Sequence, residues 1–275
     1  MVELPLGEVR YLHLKADAPS AYPIIFIHGM SYPLEVWMPL QLEAVQSNLE
    51  SISYDLYGRG KSSFTGDELT TRDLSNQVFD LLERLKISSK VHIVSLSNAD
   101  WIAISFAQRF PDRTASISLV APSGIDERTL NRRMKIISGL PHIHSILNSA
   151  TRKRLRGRMI KHSRNLPRTT STDIIEIYDL SQKSVLQNPD FTRAFWSQIA
   201  GAPNHQQSQD MLDSINEDLP LQIIRFAEEQ DSTLRGIELF RKRKRIIEHV
   251  FETGGHMSLL ENPSEIWSLL LDFWR

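Results

Sequence analysis

Short, almost unbroken apolar runs recur along this chain, separated by amphipathic or polar stretches. Tyr22-Pro23-Ile24-Ile25-Phe26-Ile27 is the clearest of them. A strand with apolar residues in succession is buried on both faces, as in a parallel sheet, whereas a half-solvated strand alternates. Strand signals also occupy Val9–Lys15, Leu49–Tyr54, Lys90–Leu96 and Ala115–Ala121. Between them, Leu34 to about Ser47, Thr71–Leu85 and Ala99–Phe110 read as helices. In the second, Leu74, Val78, Leu81, Leu82 and Leu85 share one face at spacings of three and four. Pro111-Asp112-Arg113 stops the third. Alternation of this kind requires parallel strands joined by crossover helices, so the expected fold is an α/β sheet covered on both faces.

The alternation breaks after Ala121-Pro122-Ser123-Gly124. From Asp126 to about Glu217 the pattern is helical with polar turns and no convincing strand. Leu219–Phe226 and Ile246–Glu252 restore strands, and Pro263–Trp274 ends the chain as a helix. The expected organisation is a core of residues 1–125 and 218–275 interrupted by a helical block at 126–217. That block is electrically split: Asp126–Arg168 holds 12 Lys or Arg against 2 acids, and Thr169–Pro220 holds 2 against 8. Two readings stand. The halves are solvated faces that partly neutralise one another, or the basic half is a rim that touches anionic substrates or lipid headgroups weakly. A second basic run, Arg241–Arg245, suits a surface helix end.

Composition removes several classes of function. The 275 residues carry 32 Lys plus Arg against 33 Asp plus Glu, a formal charge of -1 that disfavours wholesale binding to nucleic acid. With 0 cysteines there is no disulfide framework, thiolate metal site or Cys nucleophile. No apolar run approaches the roughly 18 residues of a membrane span. The first residues lack the basic and apolar regions of a secretory signal, so a cytoplasmic location is expected. HExxH, EF-hand and Gly-x-Gly-x-x-Gly patterns do not occur, so neither a metal nor another cofactor is expected. Gly60-Lys61-Ser62 resembles the end of a phosphate-binding loop, but Asp55 stands where that motif needs a glycine. The stretch Asp55–Ser62 reads instead as a tight structural loop.

The chemistry concentrates in Val91-His92-Ile93-Val94-Ser95-Leu96-Ser97-Asn98-Ala99-Asp100-Trp101. A strand runs into small residues flanking a serine, and a helix follows. A sharp strand-to-helix turn lifts a nucleophilic Oγ out of the sheet, and small residues two before and two after it permit close packing. The helix N-terminus then offers N–H groups to a developing oxyanion. Ser97 fits, since Ser95 and Ala99 are both small. Ser95 as the nucleophile would put bulky Ile93 in the small position. Ser97 and Asp100 also have the spacing of a capping box, which leaves Ser97 as a mere helix cap as the alternative. Val250–Gly254-Gly255-His256 reads as a strand leaving the sheet through two glycines to a histidine, a side chain suited to moving protons near neutrality. His28 competes with His256 but reads as structural, packed behind the loop at Gly29-Met30.

In the order and spacing of these motifs, the chain resembles the α/β-hydrolases, and among them the small carboxylesterase and monoacylglycerol-lipase-like group. The resemblance spans nearly the whole core: His28-Gly29, Asp55-x-x-Gly58-x-Gly60-x-Ser62, the turn at Ser97, Asp231 and Gly254-Gly255-His256. It implies an α/β-hydrolase fold with a mostly parallel central sheet flanked by helices, and a cap at 126–217. Glu228, Glu229 and Asp231 follow the strand Leu221–Phe226 as candidates for the acid, the two glutamates reading also as solvated loop residues. The resemblance, which places an Asp a few residues beyond that strand, implies a Ser97–Asp231–His256 triad. It also implies an oxyanion hole from the Met30 and Asn98 N–H groups. The chain departs from the family in its elbow, Ser95-x-Ser97-x-Ala99 in place of Gly-x-Ser-x-Gly, and in Ala227-Glu228 where a turn glycine is usual.

The expected activity is therefore cofactor-independent hydrolysis of a small carboxylic ester. A medium-chain acyl or monoacylglycerol substrate follows from the resemblance. Tyr32, Trp101 and Trp196 are the candidate lining residues, with Trp37, Phe191 and Phe195 as further aromatics; the competing role for all of them is core filling. Two alternatives stay open. One is the same fold cleaving a carbon–carbon, lactone, amide or thioester bond. The other is a binding protein whose altered elbow marks lost catalysis.

Overall fold

The computed structural model describes residues 1–17, 22–122, 148–157, 172–228, 237–241, 243 and 245–275. Asp231, Glu229 and the basic half of the 126–217 block apart from 148–157 lie outside these residues. The chain opens with a hairpin of β1 (Val2–Leu4) and β2 (Gly7–Val9). The main sheet contains β3 (Tyr11–Leu14), β4 (Ile24–Ile27), β5 (Ser51–Tyr54), β6 (Val91–Leu96), β7 (Thr114–Val120), β8 (Leu221–Phe226) and β9 (Ile246–Phe251). Its order is β3-β5-β4-β6-β7-β8-β9. All neighbours are parallel except β3 and β5. The expected α/β-hydrolase architecture, a mostly parallel sheet flanked by helices, is what the chain forms.

Helices α1 (Met38–Gln46) and α7 (Pro263–Trp274) cover one face, burying Leu40, Ala44, Ile266 and Leu270 against it. Helices α2 (Thr71–Arg84) and α3 (Asp100–Arg109) cover the other, with Leu74, Val78, Leu81, Ile102 and Phe106 inside. Every residue of β4 and β6 is buried, as their continuous apolar runs require.

Three local readings are corrected. The strand expected at Val9–Lys15 is divided at Arg10, whose carbonyl accepts from the Asp55 N–H while its own N–H donates to Ser62 Oγ. The helix expected from Leu34 begins as a 3-10 turn, Leu34–Trp37, and turns α-helical only at Met38. Pro39 dictates this, because proline fits a first turn but clashes with the preceding carbonyl inside a helix. A short 3-10 turn, Ser97–Ala99, likewise precedes α3.

Within 126–217 the described helices are 148–157, α4 (Thr172–Gln187), α5 (Phe191–Ala200) and α6 (His205–Ser214). Residues α4 and α5 bring in lie over the loop after β5, where a Cβ on Gly58 would sit 2.4 Å from Ala194 Cβ. Helix α6 packs on α3. Among the described residues no helix is long and apolar enough to cross a membrane.

Candidate active site

The register of the sheet brings distant loops together at the carboxyl ends of its strands. Ile27 of β4 lies beside Ser95 of β6, so the chain leaves β4 alongside Ser97. A Cβ on Gly29 would fall 3.3 Å from both Ser97 Cβ and Leu96 O. Ser97 has φ +58°, a left-handed conformation that costs a non-glycine residue roughly 1–2 kcal/mol. Such strain persists only where its surroundings enforce it, and it clusters at functional sites. Helix α3 has Ala99 at its N-cap and no side-chain cap, and Asp100 Oδ1 accepts from the adjacent Trp101 N–H at 2.8 Å. The Ser97–Asp100 pair thus does not cap the helix as a box. Ser95 Oγ is buried within β6 and has no hydrogen-bond partner among the described residues.

Ser97 lines a cavity of about 290 Å³ together with Met30, Tyr32, Asn98 and His256. His256 arrives from the far side of the sheet. Beyond β8 and β9, Glu228 N–H donates to Gly254 O at 3.0 Å. Gly254 has φ +92°, and a side chain there would strike Ser258 Oγ at 2.3 Å. Ser258 closes the turn by accepting from Gly255 N–H at 2.9 Å. Glu228 is exposed, and Asp231 lies outside the described residues.

His28 is fully buried and bonded on both ring nitrogens. Leu56 N–H donates to Nε2 at 2.9 Å, which requires that nitrogen to be unprotonated, and Nδ1 donates to Gly29 O at 2.7 Å. Burial pushes its pKa down to about 3, so the ring is neutral under ordinary conditions. The Gly29 carbonyl and the Met30 N–H belong to one trans peptide. Holding the carbonyl toward His28 therefore turns the N–H the opposite way, on a residue that lines the cavity. Asp55 supports the same region. Its carboxylate accepts from Leu34 N–H at 2.8 Å and Lys61 N–H at 2.9 Å. Burial pushes its pKa up to about 6. A Cβ on Gly60, which has φ +52°, would lie 2.1 Å from Asp55 Oδ2. The loop Asp55–Ser62 is the structural element that sequence reasoning expects.

The aromatics divide. Tyr32 lines the cavity. Trp101 does not: it is 1% exposed in the core and stacks on Phe240 with ring centroids 5.5 Å apart. It is absent from the cavity wall and packed in the core, so the expected lining role is corrected to core packing. Trp196 stands one layer back, its Nε1 donating to Thr151 Oγ1 at 2.8 Å and its ring edge-on to Phe195. Phe195 and Leu155 form the wall itself. Sequence reasoning missed Arg59, a buried cation between two glycines. It donates to Met30 O and Tyr57 O at 3.0 Å each and to Gln198 Oε1 at 2.5 Å. Burial pulls its pKa down to about 9, still charged at neutral pH.

The profile of the alpha/beta hydrolase family matches residues 24–268. The chain belongs to that family. Among curated relatives, this hydrolase is similar to monoacylglycerol lipase ABHD6 of Homo sapiens, 22% identical over 282 residues that cover 97% of the chain and 82% of that protein. The Bos taurus counterpart is 23% identical, covering 91% and 74%. Among solved structures, an esterase from Thermogutta terrifontis superposes with TM-score 0.77 at 18% identity, covering 97% of the hydrolase and 93% of that chain. An enol-lactonase from Burkholderia xenovorans LB400 gives TM-score 0.70 at 18% identity, covering 97% and 96%. Both are likenesses of fold.

Proposed function

We propose that this α/β-hydrolase cleaves carboxylic esters through an acyl-enzyme on Ser97. The observation that carries this reading is the meeting of a strained serine at a strand-to-helix turn with His256 in one cavity. Ser97 Oγ attacks the ester carbonyl and passes its proton to His256, and the carbonyl oxygen becomes an oxyanion held by the Met30 and Asn98 N–H groups. His256 returns the proton to the departing alcohol. A water then gives its proton to His256 and attacks the acyl carbon, freeing the acid and restoring Ser97. Asp231 orients the imidazole and stabilises its protonated form.

The substrate class is a medium-chain or monoacylglycerol-like ester. The wall of Leu155 and Phe195 supports an apolar acyl chain, and the relatives named monoacylglycerol lipase support a glycerol ester. A cavity of about 290 Å³ is at the small end for ligand sites, in keeping with one acyl chain. The enzyme needs no cofactor in this scheme. A cytoplasmic location belongs to the same reading, since a chain with 0 cysteines asks nothing of an oxidising compartment. A series of p-nitrophenyl esters of increasing acyl length tests it. Turnover that peaks at intermediate length and disappears in Ser97→Ala is expected. Folded protein that turns over none of the series contradicts it.

A further inference from the structure

Arg59 donates to three neutral acceptors at a position where it is shielded from water, and its guanidinium lies 5.4 Å from the centroid of the Phe191 ring. Arginine has donors only. Gln198 of α5 must therefore turn its Oε1 toward Arg59, which sends its Nε2 the other way. That nitrogen donates to Asn98 Oδ1 at 3.2 Å. The orientation of the second amide is fixed in turn. With Oδ1 engaged, Asn98 has its Nδ2–H groups to offer the cavity that it lines beside Ser97. Two side-chain amides, whose ends are otherwise interchangeable, thus receive a defined direction from one cation. The same cation holds the Met30 carbonyl.

We propose that Arg59 and Gln198 are positioning residues that make the Asn98 side chain a hydrogen-bond donor to the reacting ester's oxygen as that oxygen gains charge. This rests on the serine-hydrolase reading, because the oxyanion exists only if Ser97 attacks. The contact adds a side-chain donor to the backbone N–H groups and links the hole to a helix of the inserted block.

Gln198→Glu tests the direction of the relay. A carboxylate still accepts from Arg59 but has no N–H for Asn98. The Asn98 amide then turns over, giving Nδ2 to the carboxylate and leaving Oδ1 to repel the developing oxyanion. With p-nitrophenyl butyrate, kcat is expected to fall about 10–100-fold while KM stays within about threefold and Tm is not lowered. Asn98→Ala is expected to show a similar loss. Adding Gln198→Glu to Asn98→Ala is expected to cost nothing more, a non-additivity that general loosening of the fold does not produce. A Gln198→Glu enzyme within about twofold of wild-type kcat overturns the proposal, as does a full second loss in the Asn98→Ala background. Fluorophosphonate capture of Ser97 in the wild-type protein separates the two levels. Without capture, the hydrolase reading and the relay fall together; with capture and a neutral Gln198→Glu, the relay alone falls.

Discussion

On the sheet side of the cavity, His28, Asp55 and Arg59 are buried and bonded to backbone, whereas on the insertion side Leu155 and Phe195 present carbon. The sheet side fixes the direction of individual N–H groups through hydrogen bonds with few alternatives. The insertion side is a packed apolar cluster that includes Val185, Phe191 and Ile199, and such a cluster tolerates changes of shape that keep its volume. A reaction that develops charge on one oxygen needs the first kind of wall where the charge appears. It needs the second only to hold a chain. Changes to the sheet side, or to Gln198 where the insertion hydrogen-bonds to it, should therefore strike rate or stability, and changes to the apolar residues of the other wall should strike substrate preference.

The largest expected effect comes from Ser97→Gly. Glycine accepts φ +58° without strain, so turnover should fall by about 10⁴-fold or more while stability does not fall and rises by about 1 kcal/mol. Urea unfolding beside ester kinetics checks both halves. Gly60→Ala should act on stability. The added Cβ meets the Asp55 carboxylate at 2.1 Å in a left-handed backbone, and a loss of about 3 kcal/mol at unchanged m-value is expected.

Acid should loosen the sheet side. The pKa of His28 is lowered to about 3 and that of His92 to about 4, both chiefly by burial. Each ring binds a proton more readily in the unfolded chain, so the stability present above pH 6.5 is lost as pH falls through that window. Asp55, raised to about 6, works the other way between its unfolded value of 3.8 and 6. Among His28, His92 and Asp55, two histidines against one carboxylate leave a net loss of roughly 1.4 kcal/mol per pH unit between about pH 6 and pH 4. Unfolding midpoints that stay flat from pH 7.5 to 5 would break this part of the contrast. The smallest effect belongs to the apolar wall. Phe195→Ala should raise KM for octanoyl over acetyl esters about tenfold and leave kcat for the acetyl ester nearly unchanged.

Much of the sheet side was legible because its signals are local. Ile24–Ile27 and Val91–Leu96 are continuous apolar runs, and Ser97 follows one of them between small neighbours. His28 reads as a support for Gly29-Met30, and its two ring bonds show how that support works. Arg59 was not legible. Its partners stand at positions 30, 57 and 198, and no periodicity links a charged loop residue to a glutamine more than a hundred residues later. Trp101 misled for the converse reason. Sequence places it beside Ser97, but Ser97 stands in the 3-10 turn ahead of α3, whereas Trp101 lies inside α3 and stacks in the core on Phe240, a partner far along the chain. The division of the first strand at Arg10 depends on bonds to Asp55 and Ser62, again far along the chain.

The central claim is that His256 makes Ser97 Oγ a nucleophile. Fluorophosphonate labelling followed by peptide mass mapping measures this directly. A single adduct on Ser97 is predicted, forming on the order of 10³-fold more slowly in folded His256→Ala. An adduct elsewhere, or one on Ser97 whose rate ignores the loss of His256, would contradict it.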